Sequence, residues 1–239
     1  MYFIRMSVAF ILIALLAIAF IPLVLFRPFH RRNTGNICAI AYPVMAWYWG
    51  VRIEFENEHR LAPDVPTVLI ANHQDTEDMF FIESVIRPGT AVLGKWELIY
   101  VPFVGCVFWL AGNILIKRSN KKKAKQALQL AAEQMQNNNL SLLFFPEGTR
   151  NWGKPLPFKL GAFKLAIEAG APIQPVCFSL RHKTLNYKRW RSGVIKVKCL
   201  EPIPTEGLTQ DDALELAIKC RKLIEKQCEE ITSRMLQST

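Results

Sequence analysis

The sequence contains no CxxC pair and no cluster that combines cysteine with histidine. Its six cysteines are scattered over 239 residues. This spacing excludes a small disulfide scaffold and argues against a zinc site, so we expect neither a metal ion nor a cofactor. The thiols are expected to be reduced and buried as small hydrophobic groups. The sequence also has no internal repeat and no low-complexity linker, and its 51% hydrophobic content predicts one domain with a full core.

Acidic residues are scarce compared with basic ones. Lysine and arginine together number 30 against 20 aspartates and glutamates, which gives a formal net charge of +10. Such a charge favours an anionic partner: nucleic acid, an acidic membrane surface or a phosphorylated substrate. The sequence has no helix-turn-helix spacing, no aromatic RNA-binding strand and no zinc finger, so we expect no nucleic-acid partner.

Charge is absent from a long segment near the amino terminus, Ser7 to Phe26. As a helix this segment would be about 30 Å long, which is the thickness of a bilayer core. A cleaved signal peptide would have a shorter apolar centre and small residues at its end, so a retained membrane segment is the preferred interpretation. Arg5 precedes the segment and three arginines follow it, which predicts that the bulk of the protein is cytoplasmic.

A second apolar stretch runs from Ile37 to Val51 and is interrupted by Pro43. Its tyrosines and tryptophans are typical of a helix that lies at the level of the lipid headgroups, while a core helix is an equal alternative. One spanning helix and a two-helix hairpin in one leaflet both remain open. We therefore predict a membrane-anchoring segment over residues 1–55 and an α/β domain over residues 56–239.

After Arg52 the sequence alternates strand and helix patterns, which predicts a mixed, mostly parallel sheet flanked by helices. The predicted strands are Thr67–Ala71, Leu142–Phe145, Ile173–Leu180 and Val194–Leu200. Four helices are predicted: one capped by Asp75 or Thr76 and ending near Ile86, one capped by Ser119, one over Gly161–Ala169, and a long C-terminal helix opened by a capping box of Thr209 and Asp212.

The segment ANHQDTED, Ala71 to Asp78, follows the first buried strand. His73 and Asp78 are five residues apart, so a tight turn can bring the carboxylate to one ring nitrogen and leave the other free to take a proton. The sequence has no GxSxG motif that would supply a nucleophilic serine, so the hydroxyl to be activated can belong to the substrate. Read alone, a histidine near acidic residues is more often a surface cap or loop residue.

Three further blocks lie downstream: Gly112–Arg118 (GNILIKR), Phe145–Arg150 (FPEGTR) and Ile173–Phe178 (IQPVCF). Arg150 offers a planar fork of donors suited to phosphate, and Gly148 permits a close approach of the backbone. Glu147 beside an arginine is equally consistent with a structural ion pair.

These four blocks, in this order and spacing, resemble the glycerophospholipid acyltransferase family, and within it the bacterial enzymes that convert 1-acyl-glycerol 3-phosphate to phosphatidic acid. The resemblance runs from about Ala71 into the C-terminal helix and includes the stretch Gly94–Gly105. Lys117, before the arginine of the second block, is a departure, since many members have an acidic residue there. If the residue at that position determines which acceptor binds, the departure weakens the implied substrate assignment and leaves the implied chemistry unchanged.

The resemblance implies that His73 is the general base and that Asp78 orients it. The activated hydroxyl would attack the thioester directly, without a covalent acyl-enzyme. The residues implied for the acceptor site, with the arginines on the phosphate, are Lys95, Arg118, Glu147, Gly148, Thr149 and Arg150. The block Ile173–Phe178 would line the acyl region, with Pro175 shaping it.

The implied partners are lysophosphatidic acid, acyl-CoA or acyl-carrier protein, and an anionic membrane lipid surface. The implied location is the cytoplasmic face of the bacterial inner membrane. Glycerol 3-phosphate or another lysophospholipid is the alternative acceptor. Two basic clusters, residues 117–125 and 181–198, are either solvated faces or surfaces that attract these anions.

Overall fold

The computed structural model describes residues 2–61 and 65–237. Its strands are β1 (Val51–Glu56), β2 (Val68–Ala71), β3 (Thr90–Lys95), β4 (Ile114–Ile116), β5 (Ser141–Phe144), β6 (Ile173–Phe178) and β7 (Gly193–Cys199). Its helices are α1 (Tyr2–Phe26), α2 (Asn33–Trp49), α3 (Asp78–Phe81), α4 (Val104–Leu110), α5 (Lys121–Asn138), α6 (Gly161–Ala169), α7 (Arg181–Thr184) and α8 (Ala213–Gln237). Short 3₁₀ turns cover residues 58–61, 82–85, 96–100 and 210–212.

The seven strands form one sheet in the order β1-β7-β6-β2-β5-β3-β4. Only β6 and β7 pair antiparallel, and the other five pairs are parallel. The mixed, mostly parallel sheet predicted from the sequence is therefore confirmed. β2 lies between β5 and β6, with Val68 opposite both Leu142 and Ile173. All four residues of β2 are buried, because helices cover both faces of the sheet.

Alternate residues of β2 point to two different cores, as the pleat of a strand requires. Val68 and Ile70 join the core formed with α5, α6 and α8. Leu69 and Ala71 join the opposite core, which includes Trp49 of α2. The site described below sits at the carboxyl edge of the sheet, where the chain leaves β2.

The two N-terminal apolar stretches form helices α1 and α2. In the described part of the chain, α1 is the one helix long and apolar enough, by length and composition, to cross a membrane. α2 packs against the domain through fully buried Met45 and Trp49, while Trp47 is 75% exposed. The buried face of α2 therefore fits a core helix, and the face with exposed Trp47 fits a helix at the level of the lipid headgroups. The predicted boundary near residue 55 falls within β1, which pairs with β7, and the division into two domains stays a prediction.

Two predicted helix starts are wrong. The helix after β2 starts at Asp78, because the Asp75 carboxylate accepts a hydrogen bond from the Glu77 amide at 3.0 Å and closes a turn first. The N-cap of α5 is Asn120, whose side-chain oxygen accepts from the Lys123 amide at 3.0 Å, and not Ser119.

Other predicted elements are confirmed. α6 ends at left-handed Gly170, as predicted, and the predicted capping box at Thr209 is present before α8. Strands β1, β3 and β4 and helix α4 were not predicted.

Candidate active site

The predicted pair of His73 and Asp78 is formed at the carboxyl edge of the sheet. His73 Nδ1 lies 2.6 Å from Asp78 Oδ2. The same carboxylate oxygen accepts from the backbone amides of Gln74 at 2.6 Å and Asp75 at 3.1 Å. The His73 ring stacks on Phe145, with 4.1 Å between ring centroids. Since Nδ1 donates to a carboxylate, the tautomer is set and Nε2 is left as the proton acceptor.

Exposure of these two side chains differs in the way a base and its partner require. The His73 side chain is 19% exposed and the Asp78 side chain only 4%. The ring can therefore reach a substrate, while the carboxylate is kept from water. Burial by itself raises the pKa of Asp78, but the positive charge of Arg181 and the His73 ring outweigh burial and hold this pKa below its ordinary value.

Arg181 is a functional residue that the sequence analysis missed. It follows β6, the parallel neighbour of β2, so both strands deliver their last residues to the same edge. Its guanidinium pairs with Asp78 Oδ1 and, at 2.9 Å, with Asp75 Oδ1. The side chain is 1% exposed. The order of strands in the sheet could have identified Arg181, because residues that follow neighbouring parallel strands meet at one edge of the sheet.

The predicted acceptor residue Glu147 is placed behind the histidine loop. Its Oε1 atom accepts from the His73 amide and from the Asn151 side chain, both at 3.0 Å. The Asn151 and Trp152 amides donate in turn to the carbonyls of His73 and Gln74, both at 2.9 Å. Burial raises the pKa of Glu147, and the hydrogen bonds that it accepts from the His73 amide and the Asn151 side chain partly offset this rise. The carboxylate does not line the cavity described next, so the contacts assign it to positioning the loop.

One cavity of about 960 Å³ connects His73 with two chemically different walls. Its polar wall contains five of the predicted acceptor residues: Lys95, Arg118, Gly148, Thr149 and Arg150. Arg118 donates to the Gly148 carbonyl, and Lys95 pairs with Glu97 at 3.3 Å. Burial lowers the pKa of Arg118, yet an arginine stays charged. The excess of cations makes this wall suited to a phosphate.

Lys159 joins the same wall, although the sequence analysis did not include it among the site residues. Its Cε and Nζ atoms lie 2.7 Å from the point that a Cβ atom on Gly148 would occupy. Gly148 has a φ of +70°, which favours glycine, and a Cβ atom at this position would also displace the flexible end of Lys159.

Most of the remaining lining, called the apolar wall below, comes from the N-terminal helices and from the segment of α3 and the 3₁₀ turn that follows it. It includes Ile13, Leu16, Ala17 and Phe20 of α1, Ile37, Cys38 and Ala41 of α2, and Met79, Ile82 and Ile86. The expectation that Ile173–Phe178 lines the acyl region is wrong. Those residues are β6, whose six residues are all buried inside the sheet, and none of them lines the cavity.

The described residues 2–61 and 65–237 contain no cluster of histidine, cysteine, aspartate or glutamate that could hold a metal ion. The site offers a histidine ring in one cavity that is lined both by cationic side chains and by apolar ones. That arrangement can deprotonate a hydroxyl on a molecule that carries both an anionic group and a hydrocarbon chain.

Comparison with known proteins places this geometry in context. The acyltransferase family model matches residues 52–179. The 1-acyl-sn-glycerol-3-phosphate acyltransferase of Haemophilus influenzae is 37% identical over 211 residues, which cover 84% of this chain and 85% of that protein. The human 1-acyl-sn-glycerol-3-phosphate acyltransferase alpha is 35% identical over 226 residues, covering 92% and 78%.

A solved structure shares the fold. The crystal structure of the 1-acyl-sn-glycerophosphate (LPA) acyltransferase from Thermotoga maritima superposes with a TM-score of 0.66 at 23% identity. The superposition covers 97% of this chain and 98% of that one. The likeness therefore extends over the N-terminal helices as well as the sheet.

Proposed function

The chain belongs to the acyltransferase family that includes the 1-acyl-sn-glycerol-3-phosphate acyltransferases, and we propose that it carries out their reaction. It transfers an acyl chain from a thioester donor to the sn-2 hydroxyl of 1-acyl-glycerol 3-phosphate and forms phosphatidic acid. The observation that carries this proposal is that His73, the cationic residues and the apolar residues line one cavity.

The proposed chemical step needs only the residues described above. His73 Nε2 takes the proton of the acceptor hydroxyl while Nδ1 donates to Asp78, whose negative charge stabilises the imidazolium. The oxygen attacks the thioester carbonyl, the new C–O bond forms and the C–S bond breaks. The imidazolium then returns the proton to the departing sulfur, so the histidine is neutral again. No acyl-enzyme forms.

The acceptor phosphate is proposed to bind at the cationic wall. Arg118 and Arg150 provide planar donor forks, while Lys95 and Lys159 add point charges. The backbone at Gly148 and the Thr149 hydroxyl complete the wall. Glu147 is proposed to act indirectly. It accepts a hydrogen bond from the His73 amide at 3.0 Å and so positions the histidine relative to the phosphate.

The acyl donor is proposed to be acyl-CoA or acyl-carrier protein. Both are anions, and the chain carries a net charge of +10. Basic residues are concentrated between positions 117 and 125, and one of them, Arg118, lines the cavity. Attraction between this cluster and an anionic donor would raise the rate of association more than the affinity.

We further propose that α1 lies in one leaflet instead of crossing the bilayer. The helix has 25 residues and is about 37 Å long, and both of its ends contact the domain. At one end Arg5 donates to the carbonyls of Tyr187 and Arg189 at 2.9 and 2.7 Å. Near the other end, Val24 belongs to an apolar cluster with Val107 of α4 and with Ala111, the residue that follows α4.

A spanning orientation of α1 would carry these contacts into or across the hydrocarbon. The loop that holds Arg5 contains charged Lys188 and Arg189, which are expensive to place in lipid. An in-plane helix avoids that cost and presents its exposed apolar side to lipid: Phe3, Ile4, Ile11, Leu15 and Leu25. The cytoplasmic face of the bacterial inner membrane, where both donors occur, is the proposed location.

A competition assay tests the proposed acceptor. Detergent-solubilised protein is given an acyl-CoA with equimolar 1-acyl-glycerol 3-phosphate, glycerol 3-phosphate and lysophosphatidylglycerol, and the products are identified by mass spectrometry. We expect phosphatidic acid to dominate. Dominance of another acylated lipid would refute the acceptor assignment and leave the acyl-transfer chemistry in place.

A further inference from the structure

One carboxyl group lies in the apolar part of the cavity. Glu83 belongs to the 3₁₀ turn 82–85 that continues α3, and it lines the wall together with Ile82 and Ile86. Its Oε2 atom is shielded from solvent and has no hydrogen-bond partner among the described residues. The catalytic step proposed above does not use this residue.

The groups that face Glu83 do not neutralise it. α2 packs on the turn and contributes Thr34, Ile37, Cys38 and Ala41 to the wall, of which only the Cys38 thiol titrates. To the same lining α1 contributes apolar Ile13, Leu16, Ala17 and Phe20, and β3 contributes apolar Val92 and Leu93 together with Gly94 and charged Lys95. On the neighbouring positions of the same segment, Ser84 bonds to the Phe81 carbonyl and Arg87 pairs with Glu58.

Among the described residues, no hydrogen bond or ion pair joins Glu83 to the other ionisable residues that line the cavity. Apart from Cys38, these are His73, Lys95, Glu97, Arg118, Arg150 and Lys159. Burial without a charged partner raises the pKa of Glu83 to about 8. The carboxyl group is therefore mostly protonated at neutral pH and becomes ionised in the mildly alkaline range.

Although its Oε2 atom is shielded, Glu83 as a residue is only partly buried, so an acyl chain that fills this part of the cavity would replace its remaining water with methylene groups. A neutral carboxyl group loses little by this, whereas a carboxylate loses its hydration and gains no partner. Binding of the chain therefore favours the protonated form, and by linkage protonation favours binding of the chain.

We propose that Glu83 is a specificity-determining residue that makes the use of long acyl chains depend on its protonation. The inference rests on the proposed acyl-transfer function and concerns the same cavity. Glu83 lies five positions after Asp78, which corresponds to about 8–10 Å along the helical segment. Short acyl chains that end before Glu83 do not contact it, so their transfer does not sense its charge.

The test compares two donors that differ only in chain length. The ratio of kcat/KM for hexadecanoyl-CoA to that for hexanoyl-CoA is measured from pH 6 to 9.5 on the full chain in detergent. Effects of pH on the acceptor phosphate, on the CoA portion and on the acyl-transfer step act on both donors alike and cancel in the ratio. For the wild type we expect the ratio to be flat below pH 7 and to fall above pH 8, by up to tenfold per pH unit.

Two substitutions and a control assign the effect to Glu83. Glu83→Gln keeps the shape without an ionisable group, and Glu83→Leu also removes the polar atoms, so both are expected to give a pH-independent ratio. The ratio with Glu83→Leu is expected to exceed the wild-type ratio at every pH. Glu58→Gln, on a nearby exposed turn, is expected to keep the wild-type profile.

The outcomes separate this inference from the proposed function. A flat ratio in active wild-type protein, or an unchanged fall in Glu83→Gln, would overturn the inference alone. The wild-type profile decides the matter even if a variant fails to fold. Absence of phosphatidic acid from both donors at every pH would overturn the proposed function and the inference together.

Discussion

Replacing Arg181 by methionine gives a sharp prediction, because this buried residue pairs with Asp78, the partner of His73. Its guanidinium is 1% exposed and is shared between Asp75 and Asp78. Arg181→Met fills similar space but leaves two carboxylates without their cation. Removing one partner of a buried ion pair costs about 3–5 kcal/mol, which for a chain of this size corresponds to a fall in Tm of roughly 6–20 °C.

The size of this loss depends on pH in a defined direction. In the wild type the pKa of Asp78 is held below its ordinary value of 3.8, so its stabilising contribution is present above about pH 4 and is lost as the pH falls further. In Arg181→Met burial is no longer offset by the guanidinium, and the pKa of Asp78 rises. Acidification then protonates Asp78 in the variant at a higher pH than in the wild type, which removes the free-energy cost of a buried carboxylate without its cation. The difference in Tm between wild type and variant is therefore expected to narrow from pH 7.5 to pH 5.

Thermal unfolding in detergent at both pH values measures this difference. Lys183→Met, an exposed substitution on the same short helix, serves as the control and is expected to change Tm little. Arg181→Lys keeps a charge but not the fork and is expected to fall between wild type and Arg181→Met. A loss in Arg181→Met no larger than that of Lys183→Met, or one that does not change with pH, would refute the reasoning.

Substitutions at Asp78, Gly148 and Arg150 give three further tests of the site. Asp78→Asn is expected to lower kcat by about 10²- to 10⁴-fold, because the base loses the charge that stabilises its protonated form; steady-state kinetics measure this, and an unchanged kcat would contradict it. Gly148→Ala and Gly170→Ala both place a side chain at positive φ and are each expected to cost about 1–2 kcal/mol in unfolding experiments. Only Gly148→Ala, which also pushes on Lys159, is expected to raise KM for the acceptor; equal KM effects would remove that contact from the binding site. Arg150→Ala is expected to raise KM for the acceptor more than that for the donor, and full rescue by Arg150→Lys would exclude a bidentate phosphate contact.

Local sequence patterns predicted the central part of the fold. The uninterrupted apolar run at Val68–Ala71 predicts a strand buried on both faces, and β2 has parallel neighbours on both sides. Gly170 after an apolar helix and the capping box at Thr209 are signals that depend on a few adjacent residues, and both were predicted correctly. The edge strand β4 has only three residues, too few for an alternating pattern to be recognised.

The site was predictable where neighbouring residues in the sequence build it, and less so where distant ones do. The spacing of His73 and Asp78 predicts their contact because a five-residue turn closes it. Arg181 was missed because its contact with Asp78 depends on β6 lying beside β2, over one hundred residues away. The apolar wall was assigned to Ile173–Phe178 because an apolar strand and an apolar cavity wall have the same composition. The wall belongs instead to α1, α2 and the turn after α3.

The most direct test of the central claim is a single-turnover experiment with a radiolabelled acyl-CoA and the purified protein. With 1-acyl-glycerol 3-phosphate present, the account predicts labelled phosphatidic acid from the wild type and at least a hundredfold slower formation from His73→Ala. Without acceptor it predicts no label on the protein, because the hydroxyl attacks the thioester directly. Undiminished turnover in His73→Ala, or a labelled protein that passes its acyl group to added acceptor, would contradict the account.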